Sequence, residues 1–164
     1  MNDHFIEFRN VTKAFDERVV LEAVSFHVDR GETLVILGRS GVGKSVSLKH
    51  IMGFLKADSG RVFVAGQDIT GAREEELADV RRRVTMVFQS GALFDSLTVA
   101  ENVAFPIESR ADLSAEQTDQ RVAELLEMLE VVEHAQQLPS ELSTGTKRAV
   151  AIARALAQDP EAIL

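Results

Sequence analysis

The sequence predicts an α/β fold, with a mainly parallel sheet, antiparallel strands at the N-terminal end and a helical subdomain. Three observations carry this. "HFIEFRNV" and "VVLEAVSFHV" place apolar residues at every second position, the signal of half-buried strands. "ETLVILG" is instead a short continuous apolar run that leads through glycines into "GKSVSLKHIMGFL", a strand–turn–helix unit of the kind a parallel sheet uses. From Leu113 onward the period becomes helical for a long way.

Each element follows in order. "ADSGRVFVAGQDI" reads as turn, strand and turn, punctuated by Gly60 and Gly66. "EEELADVRRRV" is a charged helix whose acidic residues lead and whose arginines trail, the order that complements the helix dipole. "VTMVFQ" is a second short buried strand that ends at the polar Gln89. Ser114 with Gln117 forms a capping box, and Val122, Leu125, Leu126 and Leu129 recur at helical spacing as a packing face. "LPSELSTG" is a loop, "TKRAVAIARALA" a helix that ends before Pro160, and "EAIL" begins one more strand.

Composition narrows the function classes. There is no cysteine, which removes disulfides and thiolate metal sites. Acidic residues outnumber basic ones 26 to 18 for a net charge of −8, which sets the overall field against nucleic acid and anionic bilayers. No apolar run approaches the roughly 20 residues of a membrane helix. The expectation is a cytoplasmic chain without direct membrane insertion or a nucleic-acid partner. His4, His27, His50 and His134 show no ligand spacing along the sequence and read as structural or exposed.

The most specific motif is Gly38-Arg39-Ser40-Gly41-Val42-Gly43-Lys44-Ser45, which fits G-x-x-x-x-G-K-[ST] between a strand and a helix. Its glycines let successive backbone N–H groups turn toward an anion, and the following helix presents its positive end to the same anion. In such a phosphate loop Lys44 reaches the β- and γ-phosphates and the Ser45 hydroxyl is a Mg²⁺ ligand. No N-K-x-D guanine motif is present, which argues against a GTPase.

Four segments in order resemble the ATP-binding cassette (ABC) ATPases, P-loop NTPases that serve transporters. In "VTKAFDERVVLEAVSFHVDRGE", Phe15 stands where the family stacks an aromatic ring on adenine. The phosphate loop is the second segment. "VFQSGALFDSLTVAENVAFPI" is similar to the Q-loop region, which implies a Mg²⁺ or water contact for Gln89 beside the surface that meets a transmembrane permease. "LSTGTKRAVAIARAL" resembles the LSGGQ signature, which implies that Ser143 and Gly145 face the nucleotide of an opposite subunit in a head-to-tail dimer. Thr144 and Thr146 depart from that pattern. A β-branched residue takes positive φ poorly, so Thr144 is not carried over as a phosphate contact.

The resemblance implies one nucleotide-binding domain over 1–164, with a core of about 1–88 and 146–164 and a Q-loop and helical subdomain of about 89–145. Its cofactors would be ATP and Mg²⁺, with Lys44 and Gln89 serving catalysis. Its place would be at the inner face of the cell membrane through permease partners. "FQSGALF" and "LPSELSTG" look most like the ATPases of Mce/Mla-type lipid transporters. Importers of amino acids, metals or drugs share every motif, and a soluble non-transport ABC protein is a further alternative. In the family pattern the strand that begins at Ala162 ends in an Asp and a Glu, which orient Mg²⁺ and polarise water. The stretch stops before both, so it is expected to be C-terminally incomplete and to bind nucleotide without hydrolysing it.

Overall fold

A computed structural model of the chain describes residues 4–108, 110 and 112–164. The chain forms two compact units, the first running to Arg81 and the second from Arg82 to Leu164.

The first unit is built on an antiparallel sheet. Strands β1 (His4–Phe15), β2 (Arg18–Asp29), β3 (Ser59–Val64) and β4 (Gln67–Asp68) lie in the order β2-β1-β3-β4. The alternation read from the sequence is the physical cause: Ile6, Phe8, Val62 and Val64 are buried while Arg9 and Arg61 are exposed. Phe8 stacks on Phe26 of β2 with ring centroids 4.5 Å apart. Helices α1 (Lys44–Ile51) and α2 (Glu74–Arg83) complete this part of the chain. Arg81 pins α2 by donating to the Met52 carbonyl at 3.1 Å and to Glu74 at 2.9 Å. His50 is buried on α1. Its Nδ1 donates to the Val46 carbonyl at 2.7 Å, which fixes the tautomer if the ring is neutral.

The second unit holds β5 (Val84–Thr85), α3 (Val99–Ala104), α4 (Ala115–Met128), α5 (Thr144–Ala157) and β6 (Ala162–Ile163). β5 and β6 pair in parallel, Val84 with Ala162 and Thr85 with Ile163, and the ladder is extended by a hydrogen bond from the Val87 amide to the Leu164 carbonyl at 2.9 Å. An ion pair between Arg83 and Glu161 closes its start. Both capping boxes in this unit are complete. Ser114 and Gln117 exchange bonds of 2.8 and 3.2 Å at the start of α4, and Thr98 and Glu101 do the same for α3. The core packs Val99 and Val103 of α3, Val122 and Leu125 of α4, and Val150 and Ala153 of α5. The alanines along α5 allow the other helices to come close.

Two expected elements differ. The "VTMVFQ" strand is regular only over Val84–Thr85, and Phe88 and Gln89 at its end are exposed rather than buried. Residues 32–38, "ETLVILG", form no strand; Val35 is 68% exposed and Leu37 86% exposed. An apolar run encodes burial, but a parallel strand is made by the hydrogen-bonding neighbours on either side of it. Among the described residues the parallel ladder is that of β5 and β6.

A phosphate-loop candidate site and its companion segments

In the first unit, Gly38–Ser45 leads from the irregular 32–38 segment into α1. Gly41 and Gly43 hold φ of 81° and 99°, conformations that suit glycine. Gly43 is also packed tight: a Cβ there would lie 2.9 Å from Leu21 Cδ2 and 3.1 Å from the Val20 carbonyl oxygen, both on β2. The loop is thus seated against the N-terminal sheet.

Gly43 is the N-cap of α1 and provides no side-chain cap, and the helix's first backbone bond runs from the Ser47 amide to the Gly43 carbonyl at 2.9 Å. The amides of the first turn therefore have no intrahelical partner, as at every helix start, and here no side chain of the cap residue takes one up. Lys44 folds back over the loop, its Nζ donating to the carbonyls of Gly38 at 2.8 Å and Arg39 at 2.7 Å. Ser40, Gly41 and Val42 are exposed, as is Ser45, whose hydroxyl opens to solvent beside the helix start. Uncapped amides, a looped-in ammonium and a free hydroxyl form a donor set that fits a polyphosphate with its divalent ion.

Phe15 ends β1 and is 41% exposed, with the Lys13 ammonium 5.6 Å from its ring centroid. Asp58 anchors this end of the strand, accepting from Lys13 at 2.6 Å and from the Ala14 amide at 2.7 Å. Those bonds hold its carboxyl below the usual carboxylate range, the Ala14 amide first and Lys13 second. Arg18, the ladder partner of Phe15, brings its Nη2 within 4.0 Å of where a Gly41 Cβ would stand. A cation thus lies beside the phosphate loop that motif reading missed. The hairpin register, with only Asp16 and Glu17 between Phe15 and Arg18, is the signal that could have placed it.

In the second unit, Gln89 is exposed in a turn closed by the Gly91 amide donating to the Phe88 carbonyl at 2.8 Å. Arg154 of α5 reaches this turn, its Nη2 donating to the carbonyls of Gly91 at 3.2 Å and Ala92 at 2.9 Å, with its guanidinium 5.4 Å from the Phe94 ring. Burial pulls its pKa below the ordinary guanidinium value. Asn102 is fully buried and holds the next stretch: its amide donates to the carbonyls of Phe94, Leu97 and Thr98, and its carbonyl accepts from the Phe94 amide at 2.8 Å. Neither residue was singled out from sequence. A cation within "IARAL" and an amide within "VAENVAF" are the signals.

Ser143 is the N-cap of α5, its Oγ accepting from the Thr146 amide at 3.1 Å and sharing a bond with the Thr146 hydroxyl at 2.9 Å. Thr144 and Gly145 lie within the helix, neither with positive φ. The steric objection to Thr144 therefore lapses, because this helix start asks for no left-handed residue. The structure thus gathers Phe15 and Gly38–Ser45 on the first unit, and Gln89, Ser143 and Gly145 on the second.

The ABC transporter family profile matches residues 21–164. The chain belongs to the ABC transporter family. It is 45% identical over 159 residues, 97% of this chain and 42% of the relative, to the spermidine/putrescine import ATP-binding protein PotA of Thermotoga maritima. The methionine import ATP-binding protein MetN of Brucella abortus is 42% identical over the same 97% of this chain and 43% of its own length. The intermembrane phospholipid transport system ATP-binding protein MlaF of Haemophilus influenzae is 40% identical over all of this chain and 62% of its own length. The chain thus spans between 42% and 62% of the length of these ABC relatives.

Among solved structures, the dimeric post-hydrolysis form of the ATP-binding cassette MJ0796 bound to ADP and Pi superimposes with a TM-score of 0.87 at 35% identity, covering 96% of this chain and 72% of that one. CbiO1 from Clostridium perfringens, part of the ABC transporter complex cbiONQ, gives 0.87 at 27% identity over 99% of this chain and 64% of its own. The fold is the α/β P-loop cassette of the ABC ATPases.

Proposed function

We propose that the protein is the ATP-binding subunit of an ABC transporter and couples MgATP binding and hydrolysis to a membrane permease. The observation that carries the reading is the start of α1, where an uncapped helix N-terminus, Lys44 and Ser45 converge on one exposed loop. Gly38, Ser40, Gly41, Val42 and Gly43 would supply backbone amides to the phosphates and Lys44 charge to the β- and γ-phosphates; Ser45 would be a ligand of Mg²⁺, a role that the family resemblance also gives Gln89. Phe15 offers its exposed face to adenine, and Arg18 adds positive potential beside Gly41. Ser143 and Gly145 face the nucleotide of an opposite subunit in a head-to-tail dimer. Mg²⁺, when bound, would supply charge stabilisation for phosphoryl transfer, and the residues of this chain would contribute position and electrostatics rather than covalent chemistry.

The two companion segments act through α5. Arg154 ties the turn of Gln89 to the helix that Ser143 caps, so a permease pressing on the residues after Gln89 displaces the signature end of the same helix. The core would comprise about 1–88 and 146–164, with the helical subdomain at about 89–145. Among the described residues no helix is long and apolar enough to cross a membrane; attachment at the inner face of the membrane would come through the permease. No residue of this stretch is assigned to activate water, so turnover by it alone is expected at background.

Lipid transport is the preferred cargo reading. "FQSGALF" and the alignment of the entire chain with the phospholipid-transport relative support it. The slightly higher identities to the polyamine and methionine relatives favour small-solute import as the second reading. Titration with MgATP tests the nucleotide site: Lys44→Ala should bind at least tenfold more weakly, about 1.4 kcal/mol. Equal affinity would remove the basis for the proposal. Co-purification of the full-length protein with its membrane partners, followed by analysis of bound lipid, tests the cargo; an amino-acid permease in the complex would decide for the second reading.

A further inference from the structure

The four histidines have no ligand spacing along the chain, yet the sheet brings two of them together. His4 on β1 and His27 on β2 stack with ring centroids 3.9 Å apart, and His4 Nδ1 lies 2.5 Å from an Asp29 carboxylate oxygen. Register explains the meeting. His4 pairs with Asp29 and Ile6 with Val28, so two residue steps on β1 face one on β2. This bulge places Phe5 and Ile6 consecutively in the core, both buried, and turns His4 onto the outer face that His27 and Asp29 share as alternate residues. Without the bulge, strict alternation would put His4 on the same face as Ile6.

We propose that His4, His27 and Asp29 form a binding site for a divalent transition metal of the zinc class. One ring nitrogen from each histidine and one carboxylate oxygen lie within 4.8 Å of one another. Tetrahedral zinc with such ligands at about 2.1 Å needs them about 3.4 Å apart, a gap that rotation of three surface side chains closes. His27 and Asp29 are exposed and His4 half-buried, so the rings can unstack without disturbing the core. Two imidazoles and one carboxylate select zinc, nickel or copper over magnesium and calcium, which prefer all-oxygen sets. Glu7, the ladder partner of His27, holds negative charge on the same face while Arg9 clamps it through bonds of 2.8 and 2.7 Å. Among the described residues the cluster is these three ligands, which leaves the fourth metal position open to water. The site lies wholly within the N-terminal sheet and does not depend on the nucleotide reading.

The test is a zinc titration of tag-free, nucleotide-free protein at neutral pH against a chromophoric chelator, with thermal unfolding recorded in parallel. The protein should compete for one equivalent of zinc and melt at higher temperature with zinc than without. His27→Ala and Asp29→Asn should each weaken binding at least tenfold and abolish the zinc-dependent shift while keeping the far-UV circular dichroism of the parent. His134→Ala, on the second unit, should bind as the parent does. Failure of the parent to compete for zinc, or undiminished binding by His27→Ala, would overturn the site.

Discussion

Arg154 Nη2 donates to the carbonyl of Ala92 at 2.9 Å, across 62 positions of the chain. Together with its bond to the Gly91 carbonyl, this contact fastens the turn of Gln89 to α5. Hydrogen bonds to a charged donor contribute about 1.5–3 kcal/mol. Arg154→Ala should therefore speed amide exchange through residues 89–94 by at least tenfold, while α4 keeps its protection. Arg154→Lys should fall between the two, because an ammonium lacks the planar fork of guanidinium. Unchanged exchange in Arg154→Ala would show that the turn is held by other means.

Asn102 makes a separate prediction. Its side chain satisfies four main-chain groups between Phe94 and Thr98 from a fully buried position. Asn102→Leu keeps the volume but removes every one of those bonds; the Phe94 and Thr98 carbonyls keep the Leu97 and Asn102 amides, while the Phe94 amide and the Leu97 carbonyl lose their partner. At about 1–3 kcal/mol for each group left unsatisfied, the loss should reach at least about 2 kcal/mol in chemical denaturation. Asn102→Asp should also destabilise, since the carboxylate cannot donate. A loss below about 1 kcal/mol for Asn102→Leu would mean that water replaces the amide.

What could be read from the sequence was what short-range chemistry encodes. Ser114 and Gln117 are three residues apart, and their capping box forms as read. The strand alternation of β1 and β2 and the helical period of α4 likewise report burial directly, because each side chain's direction follows from its position in the element. Arg18 beside Gly41, Arg154 on Ala92 and His4 against His27 are meetings between distant segments, set by hairpin register, helix packing and a bulge. The segment at 32–38 failed for a related reason: its apolar run is local, while a ladder is not.

Gly43 and Gly41 separate strain from crowding. Both have positive φ, but a Cβ at Gly43 meets Leu21 and the Val20 carbonyl, whereas at Gly41 the nearest heavy atom is Arg18 Nη2 at 4.0 Å. Gly41→Ala should cost only the left-handed backbone penalty, roughly 1–2 kcal/mol. Gly43→Ala adds a clash with β2 backbone and should lose about 1–3 kcal/mol more. Thermal unfolding of both variants checks the order. Equal losses would show that the loop can lift from β2.

Asp58 gives the hairpin end a pH dependence. The Ala14 amide and Lys13 lower its carboxyl from the ordinary value, so the folded state binds its proton less readily than the unfolded chain. Its stabilisation is thus complete above the ordinary carboxylate range and is lost as pH falls through the lowered folded value. Asp58→Asn should melt below the parent at neutral pH, and the gap should shrink in acid. A constant gap across that range would exclude the charged bonds as its source.

Ser143 serves the stability of α5 and stands where the proposed dimer would present phosphate, and two substitutions pull these roles apart. Its Oγ accepts from the Thr146 amide at 3.1 Å, so Ser143→Ala should cost about 1 kcal/mol by loss of the cap alone. Ser143→Asp keeps an acceptor at the N-cap and adds a negative charge that the helix dipole favours, so its melting temperature should match the parent's or exceed it. The same charge would face the phosphates of an opposing nucleotide and repel them. Ser143→Asp in the full-length protein should therefore be stable yet fail to dimerise with MgATP, as read by size-exclusion chromatography. Ser143→Ala should be less stable but should retain some association, since Gly145 and the helix amides persist. If Ser143→Asp dimerises as the parent does, Ser143 is a helix cap and no phosphate contact.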